Sequence, residues 1–506
     1  LPGFQRRLRK ILSAPGVNKG YWGVFVADGR RGKALFSLNA DRYFTPASNT
    51  KLFTTALALA ELGPDYRFRT TLESPGSLAA DGKLTEDLVL VGRGDPNLSG
   101  RRLPYDATVV RDAPAERVLA ELADAAVARG LREIGGDVVA DDSYFADGRY
   151  PPGWSIRDML YEYGAPVTAL AVDDNVFLVA VRPGTRAGDV AAIEVQPPAE
   201  IYEFASEVVT GLPGSARDVE VLREPGSRKF TLRGSLPAGS HIEALTLAIE
   251  EPVEYAAALL KSLLEARGVR VSGGARARHA ASAVAAAVSG GPETISTGAL
   301  GTMAGSVSAP MTVLAEHTSL PLIETVRVIN KSSQNLHAEM LLRTVAVEKT
   351  GKGTTRAGLT LEKEFLEKIG VEPNDVVLQD GSGLSRRNLV TPRAVVGLLV
   401  WAERQPWGNA FAQTLPVAGD DGTLAERMKD VPAAGRVHAK TGTLGGVNAL
   451  SGYAESLSGR HLVFSFFGNL HNLEGTQATE VLDALAAAMV SDVRAGKKPA
   501  ASRTPR

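Results

Sequence analysis

Cysteine is missing from all 506 residues. With it go disulfides, thiolate catalysis and cysteine-bound metal, while the redox compartment stays open. Net charge is nearly missing too, since 56 Lys+Arg against 57 Asp+Glu leave a formal charge of -1. Without an excess of either sign no global field favours nucleic acid, an anionic membrane or an acidic ligand, so recognition is local and no nucleic-acid partner is expected. Long apolar runs are absent as well: residues 395–402 and 462–467 fall far short of the ~20 residues a spanning helix needs, and no spanning segment is expected. No His-x-x-x-His or His-Glu-x-x-His pairing is present to anchor zinc, so neither metal nor other cofactor is expected. A Gly-x-Ser-x-Gly elbow, the mark of many Ser-His-Asp hydrolases, is lacking.

What is present is an ordinary globular composition, 44% hydrophobic and 22% charged, with ample apolar surface for sizeable cores. Cores stop growing beyond about 250–300 residues, so two or three domains are expected. Phe4, Leu8, Ile11 and Leu12 recur at helical spacing among basic residues, which predicts a helix docked on a core rather than one lying on a membrane. β-Rich runs at 21–27 and 33–38 flank Asp28-Gly29-Arg30-Arg31-Gly32, a hairpin-turn composition. A helical run at 49–62 stops at Gly63-Pro64.

From 65 to 309 short strands alternate with Gly/Pro turns and with helices at 113–129 and 252–267, and the Ala/Gly/Ser-rich residues 273–291 read as a weakly packed connection. Helices dominate after 310, among them 391–404 with Thr391 as N-cap and Pro392 in the first turn. Strands at 436–443, 447–453 and 462–468 and a helix at 476–493 follow. Together these predict a mixed α and β fold, an antiparallel sheet covered by helices. Its main domain is expected in two pieces, 1–63 and 310–493, around one or two strand-rich inserted domains at 64–309. Residues 494–506, cationic and Pro-containing, are expected to form a disordered tail.

Ser48-Asn49-Thr50-Lys51 puts a hydroxyl at a helix start and an amine three residues on, on the same helical face. Serine is a weak nucleophile at neutral pH, and a lysine can take its proton only where burial or a nearby cation lowers its pKa. A capping serine is the plainer reading of that spacing. Ser333-Gln334-Asn335, between Lys331 and His337, reads either as an N-cap or as a proton-relaying hydroxyl with an amide to hold a carbonyl. Lys-Thr-Gly occurs twice. Lys349-Thr350-Gly351 closes a helix, where Lys and Gly are favoured, and is assigned no chemistry. Lys440-Thr441-Gly442-Thr443 ends a strand, where an ammonium and two hydroxyls can hold a carboxylate and an edge N–H can serve an oxyanion.

In that order, Ser-x-x-Lys, Ser-x-Asn and Lys-Thr-Gly resemble the three-motif set of penicillin-binding proteins and serine β-lactamases. Gly92-Arg93-Gly94-Asp95-Pro96, Tyr163-Gly164-Ala165-Pro166-Val167, Asp380-Gly381-Ser382-Gly383-Leu384-Ser385-Arg386 and the long separation of Lys51 from Ser333 resemble one branch. That branch is the class C low-molecular-mass penicillin-binding proteins, D-Ala-D-Ala carboxypeptidases and endopeptidases. The resemblance implies a β-lactamase/transpeptidase-like fold and a serine DD-peptidase acting through an acyl-enzyme on Ser48. It implies Lys51 as base, Ser333 as relay, Asn335 on the substrate amide, and Lys440, Thr441, Gly442 and Thr443 around the terminal carboxylate. It further implies a pocket in which Arg386, with Tyr144 and Asp141 from the insertion, takes the free end of the stem peptide's diamino acid. Gln334 departs from the Asp usual in the family.

The implied partners are peptidoglycan stem peptides and β-lactam antibiotics. Because peptidoglycan lies outside the cytoplasm, the resemblance implies export to the periplasm or cell surface, although the basic residues 5–10 are not followed by an apolar run of signal-peptide length. Two further readings share the motifs. A β-lactamase of class A would add a Glu-x-x-Leu-Asn element that is missing, and class C enzymes have Tyr in place of Ser333; a catalytically idle wall-peptide binding protein would keep the pocket without turnover.

Overall fold

The structure, a computed structural model, describes residues 2–29, 32–146, 148–197, 201–280 and 311–492. Two units divide the chain, one formed by residues 1–65, 322–338 and 359–506, the other by 66–321 and 339–358. Among the described residues no helix is long and apolar enough to cross a membrane.

The first unit is built on a five-stranded antiparallel sheet. Its strands are β1 (Tyr21–Asp28), β2 (Ala34–Leu38), β3 (Val437–Leu444), β4 (Val447–Glu455) and β5 (His461–Asn469), in the order β3-β4-β5-β1-β2. β1 lies inside the sheet between β5 and β2 and is buried on both faces, which is why its sequence reads as a nearly continuous apolar run. On one face Trp22, Val24, Val26, Leu450, Phe464 and Phe466 pack with Phe4, Leu8 and Leu12 of α1 (Pro2–Leu12) and with the last helix, Gln477–Asp492. The basic N-terminal helix is therefore docked, as its spacing predicts. On the other face Gly23 lets Phe44 approach; a Cβ there would lie 2.5 Å from the Phe44 ring. Phe44 stacks between Tyr21 and Phe467 at centroid distances of 4.6 and 5.6 Å.

Helix α2 (Lys51–Glu61) is mainly apolar and buried at nine of its positions, from Lys51 to Leu59, as befits a helix inside a core. Its polar Thr54 and Thr55 are satisfied by the Gly381 and Lys51 carbonyls at 2.8 and 2.6 Å. The expected helix start at Asn49 is instead a 3-10 turn, Ala47–Thr50. Helices α3 (Leu322–Lys331), α4 (Asn335–Thr350), α5 (Thr355–Lys368) and α6 (Pro392–Glu403) follow in the chain. Thr391 caps α6 as predicted, its Oγ1 accepting the Ala394 N–H at 3.1 Å. Gly351, with φ 72°, closes α4, so the first Lys-Thr-Gly is a helix terminus.

The second unit has two cores. One lies on a mixed sheet ordered Ala275–Arg278, Val138–Asp141, Leu88–Val91, Arg69–Ser74, Thr312–Thr318, against helices Arg117–Ala128 and Pro252–Glu265. The other gathers Phe177, Tyr202, Phe230 and Tyr255 from two three-stranded sheets and helix Pro252–Glu265. Two expectations change here. Residues 312–318, expected in the main domain, pair antiparallel with Arg69–Ser74 at the edge of that sheet, Leu314 and Ala315 buried in its core. Residues 275–278, expected in a weakly packed connection, form a strand parallel to Val138–Asp141. The rest of that connection, 281–291, and the tail, 494–506, lie outside the described residues.

Candidate active site

The chain reaches Ser48 through a clamp. Asn469, at the end of β5, accepts the Thr45 N–H on Oδ1 at 2.7 Å and donates from Nδ2 to the Thr45 carbonyl at 3.2 Å. Ala47 then adopts a φ of 47°, a strain of about 1–3 kcal/mol for a residue with a Cβ. Across from it Gly383, φ 89°, is obligatory: a Cβ would stand 1.9 Å from the Ala47 carbonyl oxygen. The 3-10 turn that follows leaves Ser48 half-buried and Lys51 fully buried.

Lys51 Nζ lies 2.9 Å from Ser48 Oγ, 2.5 Å from Asn335 Oδ1 and 2.6 Å from the Ser382 carbonyl oxygen. The last two are acceptors only. In its neutral form the amine can give its two N–H groups to them and turn its lone pair to the Ser48 hydroxyl, the arrangement a general base needs beside a nucleophile. Asp380 shapes the loop that delivers the Ser382 carbonyl. Its carboxylate accepts from the Gly383 N–H at 2.9 Å, the Ser385 N–H at 2.7 Å and Asn388 Nδ2 at 2.6 Å.

Ser333 sits between α3 and α4 with φ 60°, and its Oγ accepts from Lys440 Nζ at 2.9 Å. Its backbone leaves it facing the site instead of capping α4; Gln334 takes the local role, Oε1 accepting the Leu336 N–H at 3.3 Å. Lys440 also donates to the Thr441 carbonyl at 3.0 Å. Burial first, and the charge of Lys51 second, hold its pKa well below the ordinary lysine range.

Strand β3 is the edge strand of the sheet, and residues 416–418 bridge the first part of its outer side, the Ala418 N–H donating to the Val437 carbonyl and the Ala439 N–H to the Pro416 carbonyl, each at 2.9 Å. Asn49 Nδ2 donates to its Lys440 carbonyl at 3.1 Å. Gly442 makes the approach to Ser48 possible: a Cβ there would lie 2.8 Å from the Pro46 carbonyl and 3.1 Å from the Ser48 nitrogen. A strap through residues 417–424 ties the motifs from behind. Asp421 pairs with the buried Lys331 just before Ser333, and Thr423 Oγ1 lies 2.7 Å from Thr441 Oγ1.

Two hydrogen-bonded sets, Ser48 with Lys51 and Asn335, and Ser333 with Lys440, thus make up the site, with Thr441, Gly442 and Thr443 following on the Lys440 strand. Arg386 is exposed, and its Nη1 donates to the carbonyl of Gly445, in the turn after β3, at 3.0 Å. Tyr144 and Asp141 belong to the other unit. There Tyr144 donates to Glu348 Oε1 at 2.6 Å, burial and that carboxylate pushing its phenol well up, and Asp141 pairs with Arg278 at 3.2 Å. Sequence reasoning missed Asn49, Asp380, the Ser382 carbonyl, Asp421 and Thr423.

A family model described as the D-Ala-D-Ala carboxypeptidase 3 (S13) family matches residues 4–290 and 295–489. The chain is 37% identical over 487 residues to a D-alanyl-D-alanine carboxypeptidase of Actinomadura sp. (strain R39), covering 94% of this chain and 82% of that one. It is 27% identical over 453 residues to the D-alanyl-D-alanine carboxypeptidase DacB of Haemophilus influenzae, covering 88% and 85%. The crystal structure of penicillin binding protein 4 from Haemophilus influenzae shares the fold, with a TM-score of 0.78 at 24% identity over 95% of this chain and 98% of that one.

Proposed function

From the premise that the chain belongs to the D-Ala-D-Ala carboxypeptidase 3 (S13) family, we propose that it is a serine DD-peptidase acting on peptidoglycan stem peptides and acylated by β-lactams. The observation that carries this reading is the buried Lys51 amine, 2.9 Å from Ser48 Oγ, with carbonyl-type acceptors of Asn335 and Ser382 on its remaining sides.

Ser48 Oγ attacks the carbonyl of the penultimate D-Ala while its proton passes to Lys51. The oxyanion forms between the backbone N–H groups of Ser48 and Thr443, each such donor worth about 2.7–4 kcal/mol in comparable sites. Ser333 then gives its proton to the departing amine and takes the one held by Lys51, the C–N bond breaks, and water later cleaves the acyl-enzyme, one of its protons returning to Ser48 Oγ by the reverse path. Asn335 holds the substrate amide, and Lys440, Thr441 and Thr443 hold the terminal carboxylate. In the finer assignment, Arg386 takes the free end of the diamino acid, and cross-link endopeptidase action accompanies carboxypeptidase action, because both cleave after a D-Ala and differ only in the leaving group. Since the substrate is extracytoplasmic, the protein works in the periplasm or at the cell surface.

Mass spectrometry after incubation with benzylpenicillin tests the reading. A long-lived adduct on Ser48, lost in Ser48→Ala, is expected; rapid release would mark a β-lactamase, and no adduct an idle binding protein. Digestion of muropeptide monomers and dimers separates the carboxypeptidase and endopeptidase activities.

A further inference from the structure

Thr443 stands directly opposite Asn448 across the β3–β4 pair. Behind it runs a chain of polar contacts that the reaction as described does not use. Asn448 is buried; its Nδ2 lies 3.5 Å from Thr443 Oγ1 and its Oδ1 lies 3.0 Å from His471 Nε2. At the far end the Leu473 N–H donates to His471 Nδ1 at 3.4 Å. A backbone N–H can only donate, so His471 Nδ1 is an acceptor and the neutral ring carries its proton on Nε2. That proton points to Asn448 Oδ1, which fixes the orientation of the amide and turns Nδ2 toward Thr443. Accepting on that side, the Thr443 hydroxyl is left to direct its own hydrogen elsewhere, as a donor.

The surroundings hold this chain in place. The His471 ring is stacked on Trp22 at a centroid distance of 6.1 Å and an interplanar angle of 12°. Gly20 admits both rings: a Cβ there would lie 3.0 Å from the Trp22 indole nitrogen and 3.1 Å from His471 Cβ. Burial lowers the His471 pKa, which favours the neutral ring that the Leu473 contact requires.

We propose that Asn448 and His471 are positioning residues that set the Thr443 hydroxyl as a donor to the terminal carboxylate of the substrate, and so help select peptides with a free C-terminal carboxylate. The inference rests on the DD-peptidase reading and deepens it.

The test compares second-order acylation by a D-Ala-D-Ala peptide and by the same peptide with its C-terminus amidated. Asn448→Ala and Thr443→Val are each expected to lower the carboxylate-over-amide selectivity roughly tenfold, the cost of a weakened hydrogen bond to a charged group. The double variant is expected to lose no more than either single one, since both remove the same interaction. His471→Leu should reproduce the loss and His471→Gln should restore much of it, because a glutamine amide can donate to Asn448 Oδ1; this pair tests the relay independently of how well Asn448→Ala folds. Unchanged selectivity in Asn448→Ala, losses that multiply in the double variant, or equal losses on both peptides would overturn the inference. A wild-type chain that benzylpenicillin does not acylate would instead overturn the DD-peptidase reading itself.

Discussion

Lys440 is held toward its neutral form by its burial and by the charge of Lys51, so the two buried amines of the site disfavour simultaneous protonation. On the proposed reading, a substrate carboxylate arriving at Lys440 supplies a counter-charge to its ammonium. Binding then takes up a proton wherever Lys440 is neutral beforehand, and affinity for carboxylate ligands falls as pH rises through its depressed pKa. Calorimetry in buffers of different ionisation enthalpy should register this uptake on the alkaline side; none at any pH would contradict it. The unfolded chain still binds this proton up to about the ordinary lysine pKa of 10.4. The penalty of burying Lys440 is accordingly full below its folded pKa and is relieved as pH rises from there toward the unfolded value.

Gly442→Ala should separate folding from catalysis. The added methyl would press on the Pro46 carbonyl and the Ser48 nitrogen, moving the buried Gly442 position of edge strand β3 away from Ser48. Acylation by benzylpenicillin should slow roughly 100-fold, comparable to losing one oxyanion donor, with the circular dichroism spectrum retained. Acylation at the wild-type rate would show that the strand can give without cost.

Asp421→Asn removes the partner of Lys331, whose side chain is only 4% exposed. Burial already lowers the Lys331 pKa in spite of Asp421, and breaking a buried pair costs about 3–5 kcal/mol. A loss near 3 kcal/mol is expected in urea unfolding, since Asp421 is itself 17% exposed and water can partly replace it. A change below about 1 kcal/mol, the range of surface pairs, would mean the site is solvated.

Arg386→Ala should slow hydrolysis of a diaminopimelate-type peptide more than acylation by benzylpenicillin, which has no group for that pocket. The guanidinium also holds the Gly445 carbonyl at 3.0 Å. Equal slowing of both reactions would therefore assign Arg386 to supporting the β3–β4 turn and end its role in specificity.

Much of this site was legible because its groups are side chains with chemical meaning at fixed spacing. Ser48 and Lys51 lie three residues apart, and Lys440 stands in a Lys-Thr-Gly on a strand. The three late strands were found within two residues of their ends, since their apolar runs are bounded by Gly and charged residues. The acceptors completing the Lys51 site were another matter. Ser382 contributes only a carbonyl, which every residue has, and Asp380 acts by folding its own loop. Asp421 and Thr423 bind through tertiary contacts that no local period encodes. The same holds for residues 312–318 and 275–278, which are not expected as strands from the sequence and are held in the sheet by partners distant in the chain.

The clamp on the approach to Ser48 joins residues made at very different moments. Thr45 and Asn469 are 424 positions apart, and β1 finds its inner neighbour only in β5. Such long-range pairing is slow to form and cannot begin before both partners exist. At ~5–20 residues per second of synthesis, the nucleophile is made early and waits on the order of tens of seconds before the strand that arms it emerges. On the proposed reading Ser48 is thereby kept idle in every incomplete chain, so truncated or stalled products should carry the Ser-x-x-Lys sequence without its reactivity.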